Sequence, residues 1–239
     1  HPLYGEVRRA SAPATRLRRL RTLLVRELDR QRIPGMQVAG NKGVLALAAE
    51  PFDGRERILL EGAVAAAGLV ALPLAAELAA QIGPGEHYVD AQLLLAHIAS
   101  LMADPESVEH SLIRARNNEL DDAQRAELLL QESYHRLWAC NDPAASVAVI
   151  DAARAEGHMS ASLIAAQMMV DAARSRPRAV IDGAEVLART SPVSDTARIT
   201  ADWAEVVALA DVGLMRRAHE IAGRAHALAD HSPWGTYWR

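Results

Sequence analysis

Between Leu128 and Ala153 the apolar residues recur at spacings of three and four: Leu128, Leu129, Tyr134, Leu137 and Trp138, then, past Pro143, Val147, Ile150 and Ala153. That period matches one face of an α-helix, so the stretch predicts two helices broken at the proline. The arrangement recurs from about Glu56 onward. Its breaks read "LVALPLAAEL", "LMADPESVEH", "ACNDPAASVA", "ARSRPRAVID" and "LADVGLMRRA", placing Pro73, Pro105, Pro143, Pro177 and Gly213 at intervals of 32 to 38 residues. Proline suits the first position of a helix, where its missing N–H had no partner to lose and its φ is already helical. Asp104 and Asp142 directly precede two of these prolines, and their carboxylates can accept from the free N–H groups of the first turn. In "NNELDDAQRAE", Asp121 or Asp122 predicts a further cap.

Two helices joined by two to four residues pack antiparallel. Hairpins of this kind are expected to start near Arg55, Glu86, Asp122, Ser160 and Asp195. A hairpin repeated about every 35 residues is the pattern of a tetratricopeptide-like α-solenoid, in which each unit buries its apolar face on its neighbours. The expected fold is therefore all-α, with about five hairpins. No unit carries the full Trp, Leu-Gly, Tyr and Pro consensus of a regular tetratricopeptide, so a plain helical bundle stays open as the alternative.

The first 50 residues read differently. "PATRLRRLRTLLVRELDRQRIPG" predicts a basic amphipathic helix that starts at Pro13 and ends at Pro34-Gly35. Leu17, Leu20, Leu24 and Leu28 share one face, and Arg16, Arg18, Arg19, Arg21 and Arg26 surround the rest. "VAGNKGVLALAAE" follows as a short helix and "PFDGRE" as a turn. The expected division is a helical linker or docking module over 1–50 and a helical-repeat domain over 51–239.

Composition agrees with helix. Of 239 residues 50% are hydrophobic but only 4% aromatic, Phe52 being the single phenylalanine, while alanine and leucine dominate. Lys42 is the only lysine among 26 basic residues, a bias like that of a GC-rich bacterial genome. A single cysteine, Cys140, cannot form an internal disulfide; a reducing, cytoplasmic compartment and a buried structural thiol are expected. No apolar run reaches the roughly 20 residues that span a bilayer, and no secretory signal is expected.

No phosphate loop, G-x-S-x-G turn, H-E-x-x-H pair or C-x-x-C occurs, so no reaction and no cofactor are expected of this chain. His219 and His226 share a helix face with Asp230, but seven residues separate the histidines by about 10 Å, too far for one ion. No metal site is expected. The arginine-rich helix could meet phosphates, yet the chain carries a net charge of −4, and a solvated face or an intrachain docking surface is the expected role. The scarce aromatics are the better pointers: Tyr134 and Trp138 lie one turn apart on the first helix of the third hairpin, and Trp203 on the first helix of the fifth. In helical-repeat arrays such helices line the surface used for ligands or peptides, so these three residues are the candidate groove, with His97 added from "LLLAHIASL". Inter-hairpin core is the competing role for the aromatics, and packing the competing role for His97 and His135.

"HPLYGEVRRA" resembles the segment that closes the winged-helix part of the ATPase module in LuxR-type, MalT-like transcriptional regulators of the STAND class. The helix over 13–32 is similar to its usual continuation, and "LWACNDPAASVAVIDAAR" and "ALADVGLMRRAHEIAGRAHALA" are similar to that family's helical repeats. The resemblance implies a central superhelical sensor between an N-terminal ATP-binding switch and a C-terminal helix-turn-helix. Neither the phosphate loop nor the helix-turn-helix lies in this chain, and His1 is expected to be a cut. An inducer or a regulatory protein would be the partner, and ATP would bind on the upstream module. A stand-alone tetratricopeptide-like adaptor is the alternative function.

Overall fold

The computed structural model describes residues 13–157 and 160–229; the segment "HPLYGEVRRA" and Asp230 lie outside them. The fold is all-α, and no strand occurs among the described residues. Twelve α-helices are described: α1 (Ala14–Gln31), α2 (Met36–Leu47), α3 (Arg55–Gly68), α4 (Leu72–Ala79), α5 (Tyr88–Leu101), α6 (Pro105–Arg116), α7 (Asp122–Tyr134), α8 (Pro143–Ala155), α9 (Ala161–Ala173), α10 (Pro177–Ala188), α11 (Asp195–Asp211) and α12 (Met215–Ala229). A π-helical segment, His135–Ala139, extends α7. The chain divides into two compact units between Ala91 and Gln92.

Local chemistry places the helix starts. Asp104 accepts from Ser107 N and Asp142 from Ala145 N, each ahead of a proline at the first helical position. Asp121 forms a reciprocal capping box with Gln124, and Ser160 and Ser194 cap α9 and α11 through Leu163 N and Ala197 N. The turns inside the hairpins share one geometry. Val70, Ala103, Asn141, Ser175 and Gly213 all have positive φ, between 50° and 79°. After four of them the next amide reaches back five residues: Ala71 N to Ala66 O, Asp104 N to Ala99 O, Arg176 N to Asp171 O and Leu214 N to Leu209 O, at 2.8 to 2.9 Å. This is the left-handed closure that satisfies the last carbonyls of a helix.

Glycine fits such a position without strain, yet only one of the five is glycine. Val70 is the most strained, because its branched Cβ opposes φ of 61° while its side chain is 57% exposed and contributes little packing. Val70→Gly is expected to raise stability by about 1 kcal/mol, read as a higher urea midpoint; an unchanged or lower midpoint would show that the turn stores no strain.

In the first unit α2 and α3 approach closely at Gly43 and Gly62, where a Cβ built on Gly62 would stand 2.7 Å from the Gly43 Cα. Beside this crossing Lys42 is buried, with Nζ 3.0 Å from Asp29 and 3.6 Å from Glu61, and Arg57 pairs with the same two carboxylates. Burial raises the Asp29 carboxyl, but hydrogen bonds and charge from Lys42 and Arg57 win and hold it below its ordinary value. This network sets the roll of α1. Val25 and Thr22 are buried with Asp29 turned inward, and Thr22 Oγ1 accepts from Glu50 N at 3.1 Å. Most of the leucine face stays in solvent: Leu20, Leu23 and Leu24 are 52%, 56% and 48% exposed, and Leu17 and Leu28 are only half-buried.

In the second unit the first helices of three hairpins pack in series, α9 against both α7 and α11, while α8, α10 and α12 pack on their partners. One core cluster joins Leu130, Leu137, Ile150, Leu163, Met169 and Val170; another joins Met168, Val180, Leu187, Ala201 and Ala204. Trp203 packs against both.

Candidate functional site

Three of the four candidate residues meet. The Trp138 and Trp203 rings stand edge to face with centroids 5.7 Å apart, and the Tyr134 ring is tilted 6.3 Å from Trp138. Edge-to-face pairs of this kind align a positive ring edge with a negative face. Tyr134 and Trp203 are half-buried and tied to the core, whereas Trp138 is 47% exposed and presents the cluster to solvent. Core and surface roles, which the sequence set against each other, are thus divided among the three rings.

The cluster bridges two hairpins that are not consecutive first helices. Trp138 follows α7 and Trp203 belongs to α11, with α9 packed between. A second contact is polar: the Thr196 side chain at the start of α11 approaches Glu127 of α7, which accepts from Gln131 Nε2 at 3.0 Å. Burial pushes the Glu127 carboxyl above its ordinary value despite Gln131 and Thr196, which lower it. Side chains of α7 and α11 therefore reach each other over α9 at two places.

The π segment aims Trp138. Cys140 N bonds His135 O, five residues back, and Asp142 N bonds Arg136 O, six back where the other turns span five. One inserted residue thus rotates the end of the helix, and π turns of this sort recur at functional sites. It also stacks Cys140 over His135, with Sγ 3.5 Å from Nε2, and Cys140 is exposed, not buried as its sequence context suggested. Glu109 Oε2 lies 3.3 Å from the same nitrogen, and Arg136 holds the other Glu109 oxygen at 3.3 Å. Burial lowers the His135 pKa more than Glu109 raises it, so the imidazole is neutral near pH 7. Nearby, Asp142, Pro143, Ala144, Val147 and Arg174 line an open depression of about 510 Å³.

His97 is not part of this surface. It is 2% exposed on α5, and burial pushes its imidazole down to about 3; a side chain so enclosed packs the interior and cannot line an open groove. His219 and His226 are exposed on α12. Among the described residues no group of three or more His, Cys, Asp or Glu side chains is placed to hold a metal ion, and no helix is long and apolar enough to cross a membrane.

The two tryptophans should separate stability from recognition. Trp203→Ala removes a half-buried ring shared by two core clusters and is expected to cost about 2 kcal/mol. Trp138→Ala, at the exposed ring, should cost less than about 1 kcal/mol. Equal losses in denaturant titrations would place Trp138 in the core as well.

Comparison with protein-family models, with curated proteins and with solved structures finds no match to this chain.

Proposed function

We propose that this chain is the sensor and scaffold region of a cytoplasmic STAND-class, LuxR-type transcriptional regulator, without catalytic chemistry of its own. Its ligand, an inducer or a regulatory protein, docks on the face formed by Tyr134, Trp138 and Trp203. The observation that carries this reading is the half-exposed aromatic cluster that ties α7 to α11. Few other aromatics exist in the chain, and a rigid ring at a surface offers large contact area at low entropic cost. The stacked hairpins and the resemblance of "HPLYGEVRRA" to the close of the ATPase module support the rest.

Such a cluster suits a switch. A ligand wedged against Trp138 binds differently when α7 and α11 are together and when they are apart, and that difference in affinity is what shifts a two-state equilibrium. The coupled modules would be an ATPase and a helix-turn-helix in the same polypeptide.

The test uses the native full-length gene product. It is expected to bind ATP, to assemble into larger species with ATP and inducer, and to show thermal-shift hits from a metabolite library that disappear in Trp138→Ala. A ligand at 100 times its Kd adds about 2.7 kcal/mol of apparent stability, several degrees in Tm. A full-length product that binds no nucleotide, and whose Trp138 face captures only peptides, would replace this reading with a protein-interaction adaptor.

A further inference from the structure

We propose that the outward face of α1 is a docking surface for an acidic amphipathic helix of a partner protein, a reading independent of the sensor function. Among the described residues the face is apolar and uncovered: Leu20, Leu23 and Leu24 stand side by side, each about half exposed, and Leu17 and Leu28 continue the line. Exposed leucines on one helix carry meaning when they are contiguous, because scattered ones are normal and a stripe is not. Here the stripe exists because α1 is fixed to its own unit by its polar side, through Thr22 and the Asp29, Lys42 and Arg57 network. Leu20, Leu23 and Leu24 stay about half exposed beside that attachment.

Charge identifies the occupant. α1 carries six arginines against two carboxylates in a chain whose net charge is −4. At 100° per residue Arg19, Arg26 and Arg30 fall along one edge of the leucine stripe, with Arg16 and Glu27 between Leu23 and Leu20. Of the two carboxylates, Asp29 faces inward and Glu27 is held by Arg30 at 2.6 Å. The edge is therefore positive, and a partner helix with a leucine seam and flanking carboxylates would match both seam and edge. Leu17, Leu20 and Leu24 have the three-and-four spacing that receives such a seam.

Other occupants fit worse. Two copies of α1 face to face would set arginine against arginine. A helix that lies on a membrane keeps a strongly charged, solvated face opposite its apolar one, whereas the side of α1 opposite its leucines is docked on its own unit through Thr22, Val25 and Asp29. Against nucleic acid, leucines would occupy the crest where phosphates must sit. Arginine, with its planar fork, suits carboxylates and is enriched at protein interfaces.

The probe is a fluorescein-labelled synthetic helix of about three heptads, leucine at the seam and glutamate on its flanks, titrated by anisotropy against the whole chain. Saturable binding is expected, weakened about tenfold or more at high salt. Leu20→Ala with Leu24→Ala should weaken it at least about tenfold. Arg19→Glu with Arg26→Glu should abolish it and create binding to the lysine-flanked version of the peptide. All four positions are exposed, and the one contact this changes is Arg26 over the Phe52 ring at 5.5 Å, so circular dichroism should report an unchanged fold. Binding indifferent to these changes overturns the proposal, as does no binding. It is equally overturned by preferential capture of phosphatidylglycerol vesicles or duplex DNA, or by self-association that requires the leucines.

Discussion

Lowering the pH from 6.5 toward 3 is expected to remove about 4 kcal/mol of stability through His97 alone. The folded imidazole, held at about 3 by burial, takes up a proton only in strong acid, whereas the unfolded one does so near its ordinary 6.5. Between those values the unfolded chain binds more protons, so stability rises with pH across the window and the His97 penalty vanishes above it. At pH 5 the loss should already be about 2 kcal/mol. Urea midpoints at pH 7 and pH 5, compared between the native chain and His97→Gln, isolate this residue from the carboxylates. The variant should lose markedly less on acidification, and parallel losses would mean that water reaches the ring.

Gly62→Val should cost about 3 kcal/mol. A single Cβ at this position already falls 2.7 Å from the Gly43 Cα and 3.3 Å from the Ala39 carbonyl oxygen, and backbone cannot swing aside as a long side chain can. The two helices must separate, which also pulls on the Lys42 network beside them. Gly40 in α2 is the control, because an added Cβ there meets nothing within 4 Å. Gly40→Ala should gain up to about 1 kcal/mol by helix propensity alone. Similar responses of the two glycines in chemical denaturation would contradict the close crossing.

Local signals made the hairpins legible. Arg55, Asp122 and Asp195 begin helices where the sequence placed them, Ser160 caps the fourth hairpin, and only Glu86 stands two residues ahead of its helix at Tyr88. Asp121, Ser160 and Ser194 cap three of these helices and prolines open second helices, chemistry that acts over three or four residues. What the sequence hid was long-range. The roll of α1 follows from Asp29 meeting Lys42 and Arg57, 13 and 28 residues away, partners that the helix's own periodicity does not show. The Gly43 and Gly62 crossing is a property of two helices, and neither glycine is marked within its own segment.

The candidate site divides the same way. Tyr134 and Trp138 were legible as neighbours one turn apart. Their meeting with Trp203 depends on how three hairpins stack, and the exposure of Cys140 depends on the π segment, which no local residue pattern announced. His97 went to the core because an imidazole amid leucine and alanine gives no sequence sign of which way it points.

The π segment has a consequence for how the repeats are matched to one another. The third hairpin closes its left-handed turn with one residue more than the others, so pairing the end of its first helix position by position with another hairpin's goes out of step within His135–Ala139. Superposing the turns on Asn141 and its counterparts restores the match and puts the gap inside the helix, where insertions are least expected. Removing one residue there would restore the common register and swing Trp138 through about 100°, dismantling the aromatic bridge while leaving each hairpin intact. The length of one helix, counted in single residues, is thus the coordinate on which the bridge depends.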